Sequence, residues 1–501
     1  MNTTLENNKS SNVLLLSKSV LLTLSAICIL GAGMRWNIPI MGWLFPIPLL
    51  LYMRVGYKKS ILLLVMLIAF VGQYLKITSE PLHIAIAAMA GIQAAIFTWI
   101  VLFIVEKIRH QLESRKQKYS EIIVSVSFAS LITVGEYVIA QFSGLGVWGM
   151  IANTQLENLP LLQLASITGA YGISFLMCLT ASMSESIIYS LTQGKSPTSR
   201  VLKAGMGVLV LNILVFSYGG IRLDFQGQGA TMRVATVSAK DYSIQDISQT
   251  GDLGNKARNG NNNEVYDLIE KASNQKAEMV ITNEGSIILN PGEEESFEEK
   301  IKQLALQKKV HIMAGYLIFN GLHEKFNNRL LFVDSEGRTF KYSKQFIVPG
   351  EPVTPEPGPI LPITITHNSQ QFIIGGAICY DFDSMKITND HGDNEAGMVA
   401  IPSSDWRGID PYHTQMTRLR GIEQGYSITR SVRGATSQMY DAYGRIRGSL
   451  PWHEDNDKIL IASVPIEPIM TIYKTFGDWF VILNCISILF VGIVAFRKIK
   501  S

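Results

Sequence analysis

The sequence runs to 501 residues, room for two or three ordinary domains. Only 17% of its residues are charged, against about 25% in a soluble protein, and its mean hydropathy is positive, so composition favours a membrane protein. A net charge of +3, evenly mixed and without a long basic or acidic run, excludes a nucleic-acid binder and points to lipid as the environment.

A helix needs about 20 mostly apolar residues to cross a bilayer. In chain order, eight stretches are read as spans: 17–34, 38–53, 61–75, 83–105, 122–142, 161–191, 201–218 and 479–496. The second and third are short enough to tilt or re-enter, and Lys18 can snorkel from the start of the first. That first run lacks an A-x-A type cleavage signal and is read as retained. Basic residues cluster at Lys9 and Lys18, at Arg54, Lys58 and Lys59, from Lys107 to Lys118, from Lys195 to Lys203, and at Arg497, Lys498 and Lys500, whereas 144–160 has none. Because Lys and Arg concentrate on the cytoplasmic side, both termini are expected inside and the large polar segment outside. This predicts a membrane region over 1–223 with seven spans, a polar domain over 224–470 and a terminal span within 471–501.

Within the polar domain, short apolar runs predict strands at 232–237, 279–282, 310–316, 329–333, 372–378 and 397–401. Helical periodicity at 263–275 and 295–307 alternates with them, so layered β and α elements are expected rather than a barrel of hairpins. The Gly- and Asn-rich stretch 248–263 carries no apolar pattern and is expected to be a mobile loop. Cys28, Cys178 and Cys485 lie in apolar runs. Cys379 alone lies in polar sequence, where it has no disulfide partner and a free thiol needs an explanation.

Glu284, Lys344 and Cys379 share one position type, at or just past the end of a short apolar run, where α/β proteins place function. Singly, such residues are usually a cap, a surface charge and a core side chain. Together they resemble the Glu, Lys and Cys set of the nitrilase superfamily, and more specifically the membrane-bound apolipoprotein N-acyltransferases. The resemblance runs through nearly the whole chain: the spans before the polar domain, the segment 161–175, the stretch from Lys344 to Glu351, Ile378-Cys-Tyr-Asp381, the segment 416–423, and Gly477-Asp-Trp479 before the last span.

The resemblance implies a nitrilase-like α/β/β/α sandwich beside a polytopic helical region, with no cofactor. A thiol of pKa about 8.5 is a weak nucleophile at neutral pH unless a base takes its proton, and Glu284 would be that base. Lys344 and the backbone N–H of Tyr380 would stabilise the oxyanion, with Glu351 orienting Lys344 and Asp381 in support. The implied partners are a phospholipid acyl donor and a diacylglyceryl-cysteine lipoprotein acceptor at the membrane. The chain departs from the family pattern at Asp381, where Glu is usual, at 238–240, at Val348-Pro-Gly-Glu351, at 404–408 and at 430–433.

His413 and His453 stand alone, and no His or Cys pair has metal-ligand spacing. Trp148 reads as an interfacial anchor or a substrate contact, and Arg418, Arg420 and Glu423 as a structural ion-pair group at helical spacing. Two alternatives stay open: an extracytoplasmic amidase or transferase using another amine, and a non-catalytic membrane binding protein. Against the second, no internal repeat is visible, and the mid-span acids Glu136 and Glu185 have no obvious charged partner in the sequence.

Overall fold

The structure, a computed structural model, describes residues 17–78, 81–225, 229–238, 251–321, 324–360, 362–452 and 458–496. Lys9, His453, Arg497, Lys498 and Lys500 lie outside the described residues. The chain opens with ten helices: α1 (Lys18–Gly31), α2 (Pro39–Leu44), α3 (Pro46–Arg54), α4 (Lys59–Tyr74), α5 (Pro81–Ser114), α6 (Ser120–Phe142), α7 (Leu159–Leu162), α8 (Ala165–Thr168), α9 (Ala170–Thr192) and α10 (Ser199–Asp224).

Among the described residues, six helical stretches are long and apolar enough to cross a membrane: Lys59–Ile77, Ile84–Ser114, Ser120–Phe142, Ala170–Thr192, Ser199–Asp224 and Trp479–Phe496. Three expected spans differ. α1 has 14 residues, short of the about 20 a span takes. The run 38–53 divides at Phe45, because Pro46 starts α3 at a position that needs no N–H. The run 161–191 is interrupted at Gly169, whose φ of +69° breaks the helix before α9. Leu209, Leu214, Leu489 and Ile493 are exposed on α10 and the last helix, the apolar outer face that a bilayer covers.

Glu185 is not without partners. Its carboxylate, fully buried in α9, meets Arg54 of α3 and Arg109 of α5 at 3.3 Å each. Helices remote in sequence supply those cations, so linear spacing gave no sign of them. Glu136 accepts the backbone N–H of Ile151 at 2.7 Å.

The polar domain follows as β1 (Thr231–Val237), α11 (Gly251–Asn274), β2 (Met279–Thr282), β3 (Ile287–Leu289), α12 (Glu294–Lys308), β4 (His311–Ile318), β5 (Phe326–Val333), β6 (Thr339–Ser343), β7 (Val353–Thr354), β8 (Ile363–His367), β9 (Gln370–Gly376), α13 (Met385–Asp393), β10 (Met398–Ser404), α14 (Tyr412–Gln424), β11 (Ser427–Arg433), β12 (Ser437–Tyr440), β13 (Ile446–Leu450) and β14 (Ile459–Pro465). Helices α15 (Ile472–Phe476) and α16 (Trp479–Phe496) close the chain.

Two sheets form. One runs β14-β1-β2-β4-β5-β6, with β3 on β4 and β7 on β5; the other runs β13-β12-β11-β10-β9-β8. Side chains alternate across each strand. On β4, Ile312, Ala314 and Tyr316 face α11 and α12 while Met313 faces the other sheet, where it joins Ile281, Phe332, Ile374 and Ala400. Phe382, Ile387, Val399 and Ile428 build a further core under the second sheet. The result is the α/β/β/α sandwich. α14 packs outward: Tyr412, Met416 and Leu419 join the apolar core of the membrane helices.

The expected loop at 248–263 is helical from Gly251 onward; 248–250 lie outside the described residues. Polar side chains replace the missing apolar pattern. Asn262 donates to Ile288 O at 2.8 Å and accepts from Ile288 N at 2.9 Å, and Asn261 donates to Ser286 O at 2.7 Å. These bonds serve β3 and its approach, satisfying buried backbone groups that no strand reaches.

Candidate active site

Each candidate side chain leaves the end of a strand. Glu284 sits in the tight turn between β2 and β3, where Gly285 takes φ +58°. Its carboxylate is buried and accepts from Asn328 Nδ2 at 2.7 Å, Lys344 Nζ at 2.9 Å and Ser404 N at 2.9 Å. Lys344 follows β6 and is 1% exposed, its ammonium 2.9 Å from Glu284 Oε1 and 2.6 Å from Glu351 Oε1. Burial disfavours that ammonium, but Glu284, Cys379 and Glu351 outweigh it and raise its pKa, keeping it charged. Burial, with Glu284, raises the Glu351 carboxyl against the pull of Lys344. Glu351 Oε2 accepts Val348 N at 3.0 Å, which fixes the turn carrying it.

Cys379 opens a short 3-10 turn after β9 with φ +48°, a left-handed conformation that costs a non-glycine residue about 1–2 kcal/mol. Strain of this kind persists where the surroundings over-determine it. Burial, then the carboxylates of Glu284 and Asp405, push the thiol well above its ordinary range, while Lys344 and Arg430 pull the other way. The resting group is a thiol, and attack requires a proton acceptor.

Asp381 is fully buried. It accepts Phe346 N at 2.7 Å, Gln345 N at 3.0 Å and Tyr342 OH at 2.9 Å, joining the Cys379 turn to the segment around Lys344. Burial pushes its carboxyl up to about 7 despite those bonds. The Tyr380 hydroxyl donates to Gly144 O in the loop after α6.

Three further groups, Asp405, His413 and Arg430, gather near the sulfur. Asp405 Oδ1 is 3.8 Å from Cys379 Sγ, 3.0 Å from His413 Nδ1 and 3.1 Å from Arg430 Nη2. His413 Nε2 is 2.9 Å from Asp383 Oδ2, which also accepts Trp148 Nε1 at 3.1 Å. Spacing showed His413 as isolated because its partners come from other elements, and Asp405 and Arg430 carried no signal beyond departures from a family pattern. Donor atoms of Cys379, Asp405 and His413 lie within 4.8 Å of one another. The Arg430 guanidinium already occupies the Asp405–His413 side, so this is a hydrogen-bonded charge network and not a cation site. Of the expected ion-pair group, Arg420 meets Glu423 at 2.8 Å, whereas Arg418 donates to Leu156 O at 2.6 Å.

A cavity of about 420 Å³ joins the two regions. Glu284, Lys344 and Cys379 line it from the sandwich; Ile86, Leu145 and Trp148 line it from the membrane helices and their loops.

Residues 25–183 match the apolipoprotein N-acyltransferase N-terminal domain, and residues 247–472 match the carbon-nitrogen hydrolase family. The apolipoprotein N-acyltransferase of Haemophilus ducreyi is 25% identical over 404 residues, covering 74% of this chain and 75% of that protein. That of Geobacter metallireducens is 23% identical over 390 residues, covering 70% of each. A crystal structure of an amidase from Nesterenkonia sp. is 16% identical, with a TM-score of 0.39 over 52% of this chain and 97% of that one. The chain thus carries in order a match to the apolipoprotein N-acyltransferase N-terminal domain and a match to the carbon-nitrogen hydrolase family, and over about 70% of its length it is similar to apolipoprotein N-acyltransferases.

Proposed function

We propose that this enzyme takes a fatty acyl group from a phospholipid as a thioester on Cys379 and passes it to the N-terminal amine of a diacylglyceryl-cysteine lipoprotein. The shared cavity carries this reading. An amphiphile whose chains lie among Ile86, Ala87 and Leu145 presents its head to Glu284, Lys344 and Cys379 in the same space, which turns an encounter in the bilayer into a held geometry.

Glu284 takes the proton from Cys379 Sγ, and the thiolate attacks the ester carbonyl. The C–O bond then breaks, and the lysophospholipid oxygen leaves with the proton from Glu284. In the second half the acceptor amine attacks the thioester carbonyl and gives its proton to Glu284. The C–S bond breaks and Cys379 recovers its proton. Lys344, held between Glu284 and Glu351, and the Tyr380 N–H serve the oxyanion in both halves; one such donor is worth about 2.7–4 kcal/mol. Apolar walls keep water from the thioester.

Residues 1–223 are assigned to the membrane region, 224–470 to the catalytic domain and 471–501 to the terminal span. The basic clusters support cytoplasmic termini and an extracytoplasmic catalytic domain. A different amine acceptor is the second reading, favoured by the departures at Ser404, Asp405, Trp406 and Arg433, which line the cavity.

Intact mass spectrometry after incubation with phospholipid tests the first half, with Cys379→Ser in parallel. A fatty-acyl increment on the wild type, removed by neutral hydroxylamine, is expected. Adding a synthetic diacylglyceryl-cysteine peptide should move the acyl group onto its amine. Loss of the increment to water alone would transfer the assignment to an amidase-type hydrolase, and no increment at all would end the thioester reading.

A further inference from the structure

His413 has carboxylates at both ring nitrogens, with Asp405 Oδ1 at 3.0 Å from Nδ1 and Asp383 Oδ2 at 2.9 Å from Nε2. A neutral imidazole has only one N–H, so with Nε2–H on Asp383 its bare Nδ1 would face the Asp405 carboxylate lone pair and could accept only from Arg430. One neighbour opposes the charged ring: Arg430 Nη2, a donor, lies 2.8 Å from Nδ1. Burial and Arg430 disfavour the imidazolium, but Asp405 and Asp383 outweigh them and raise its pKa. Burial would likewise raise Asp405, yet Arg430 and His413 hold that carboxyl below its ordinary value.

Charge balance connects this ring to the nucleophile. Asp383 and Asp405 against His413 and Arg430 sum to zero when the ring is charged, and to one buried negative charge when it is neutral. Asp405 is the group that Cys379 Sγ–H contacts at 3.8 Å. Once the thiol ionises, that carboxylate faces a thiolate. The groups acting on Sγ are Glu284, Lys344, Asp405 and Arg430, and those facing the ring are Asp383, Asp405 and Arg430. The bridge also crosses the molecule: Asp383 takes Trp148 Nε1 at 3.1 Å, and Trp148 walls the cavity from the membrane side.

We propose that His413 is a positioning residue, an imidazolium clamped between Asp383 and Asp405 that neutralises Asp405, aims it at the Cys379 thiol and ties the nucleophile to Trp148. This rests on Cys379 being the nucleophile, but not on the identity of either substrate.

The test is the pH dependence of iodoacetamide alkylation at Cys379 in the purified full chain, read by mass on the peptide that contains it. In His413→Gln the network keeps one unbalanced carboxylate. The midpoint of the profile should move up by about one pH unit, close to a tenfold loss of thiolate at pH 7.5. The double variant Asp383→Asn/His413→Gln, which restores the balance, should return toward the wild type. A merely structural role would lower the melting temperature without moving the midpoint. Superimposed profiles from folded His413→Gln and wild type would overturn the proposal, even if the acyl-thioester forms normally. Should His413→Gln not fold, 15N-histidine NMR of the wild-type chain decides. One ring still doubly protonated at pH 7.5 is expected, and only neutral rings there would overturn the clamp.

Discussion

Asp381 Oδ1 accepts the backbone N–H of Phe346 at 2.7 Å, so the residue two places after Cys379 holds the segment that begins just after Lys344. The same carboxylate takes Gln345 N at 3.0 Å and Tyr342 OH at 2.9 Å. Its shorter side chain, compared with the Glu usual in the family, reaches inward to the backbone. It couples two candidate groups and is not itself among the residues lining the cavity.

Asp381→Ala should therefore fail in two ways. Orphaning several buried donors should lower stability by about 2–4 kcal/mol, since each unsatisfied buried group costs about 1–3. The freed Lys344 segment should also slow thioester formation. Thermal unfolding and the acylation rate measured together check this; a slower rate with unchanged stability would mean that Asp381 acts in the chemistry and not as an anchor.

Lys344→Met removes the ammonium between Glu284 and Glu351, which lie 2.9 and 2.6 Å from it. Loss of one oxyanion donor predicts a fall of about 10²–10³ in acylation rate. Single-turnover appearance of the acyl-enzyme mass measures it. Glu351→Gln, which leaves Lys344 paired with Glu284, should cost about tenfold, within the range for one charge-assisted contact.

Glu423, near the end of α14, is fully buried and accepts the N–H of Ala170 at the start of α9 at 2.7 Å, and burial, opposed by Arg420, pushes its carboxyl up to about 7 from 4.5. The folded state thus holds a proton there that the unfolded chain releases. Stability must fall as pH rises through the window from about 4.5 to 7. Asp381, raised to about 7 from 3.8, adds in the same direction. Glu423→Gln should flatten the decline of melting temperature between pH 5 and 8 without abolishing it. A slope identical to wild type would show that Glu423 keeps an ordinary titration.

Trp406 Nε1 donates to Ile77 O at 2.6 Å, at the end of the first long membrane helix, and a Cβ added at Gly408 would come within 2.1 Å of that same oxygen. Gly408→Ala must push the loop 404–410 off the helix end, at a cost of about 1–3 kcal/mol. Faster proteolytic cutting in 404–410, with a lower melting temperature, is the expected result. Unchanged cleavage would mean the two regions yield without strain.

The membrane character, the six strand runs and the shared position type of Glu284, Lys344 and Cys379 were all visible in the sequence. Hydropathy and two-residue or 3.6-residue periodicity are local properties of a chain. The strand β11 escaped because Arg430 and Ser431 make it read as polar, although it is buried and its side chains find partners on neighbouring strands. The stretch before 263 is helical for the same reason: Asn261 and Asn262 bond to backbone groups of β3 and its approach.

Reading along the chain is enough to establish which segments are apolar and which few polar residues stand at strand ends. It takes the folded chain to reveal that the apolar runs 38–53 and 161–191 break, that Glu185 is paired, and that His413 is gripped by Asp383 and Asp405 beside Cys379. Burial makes an unpaired charge costly. Yet the group that relieves it can come from any part of the chain, so charge pairing in this protein is a property of the folded core.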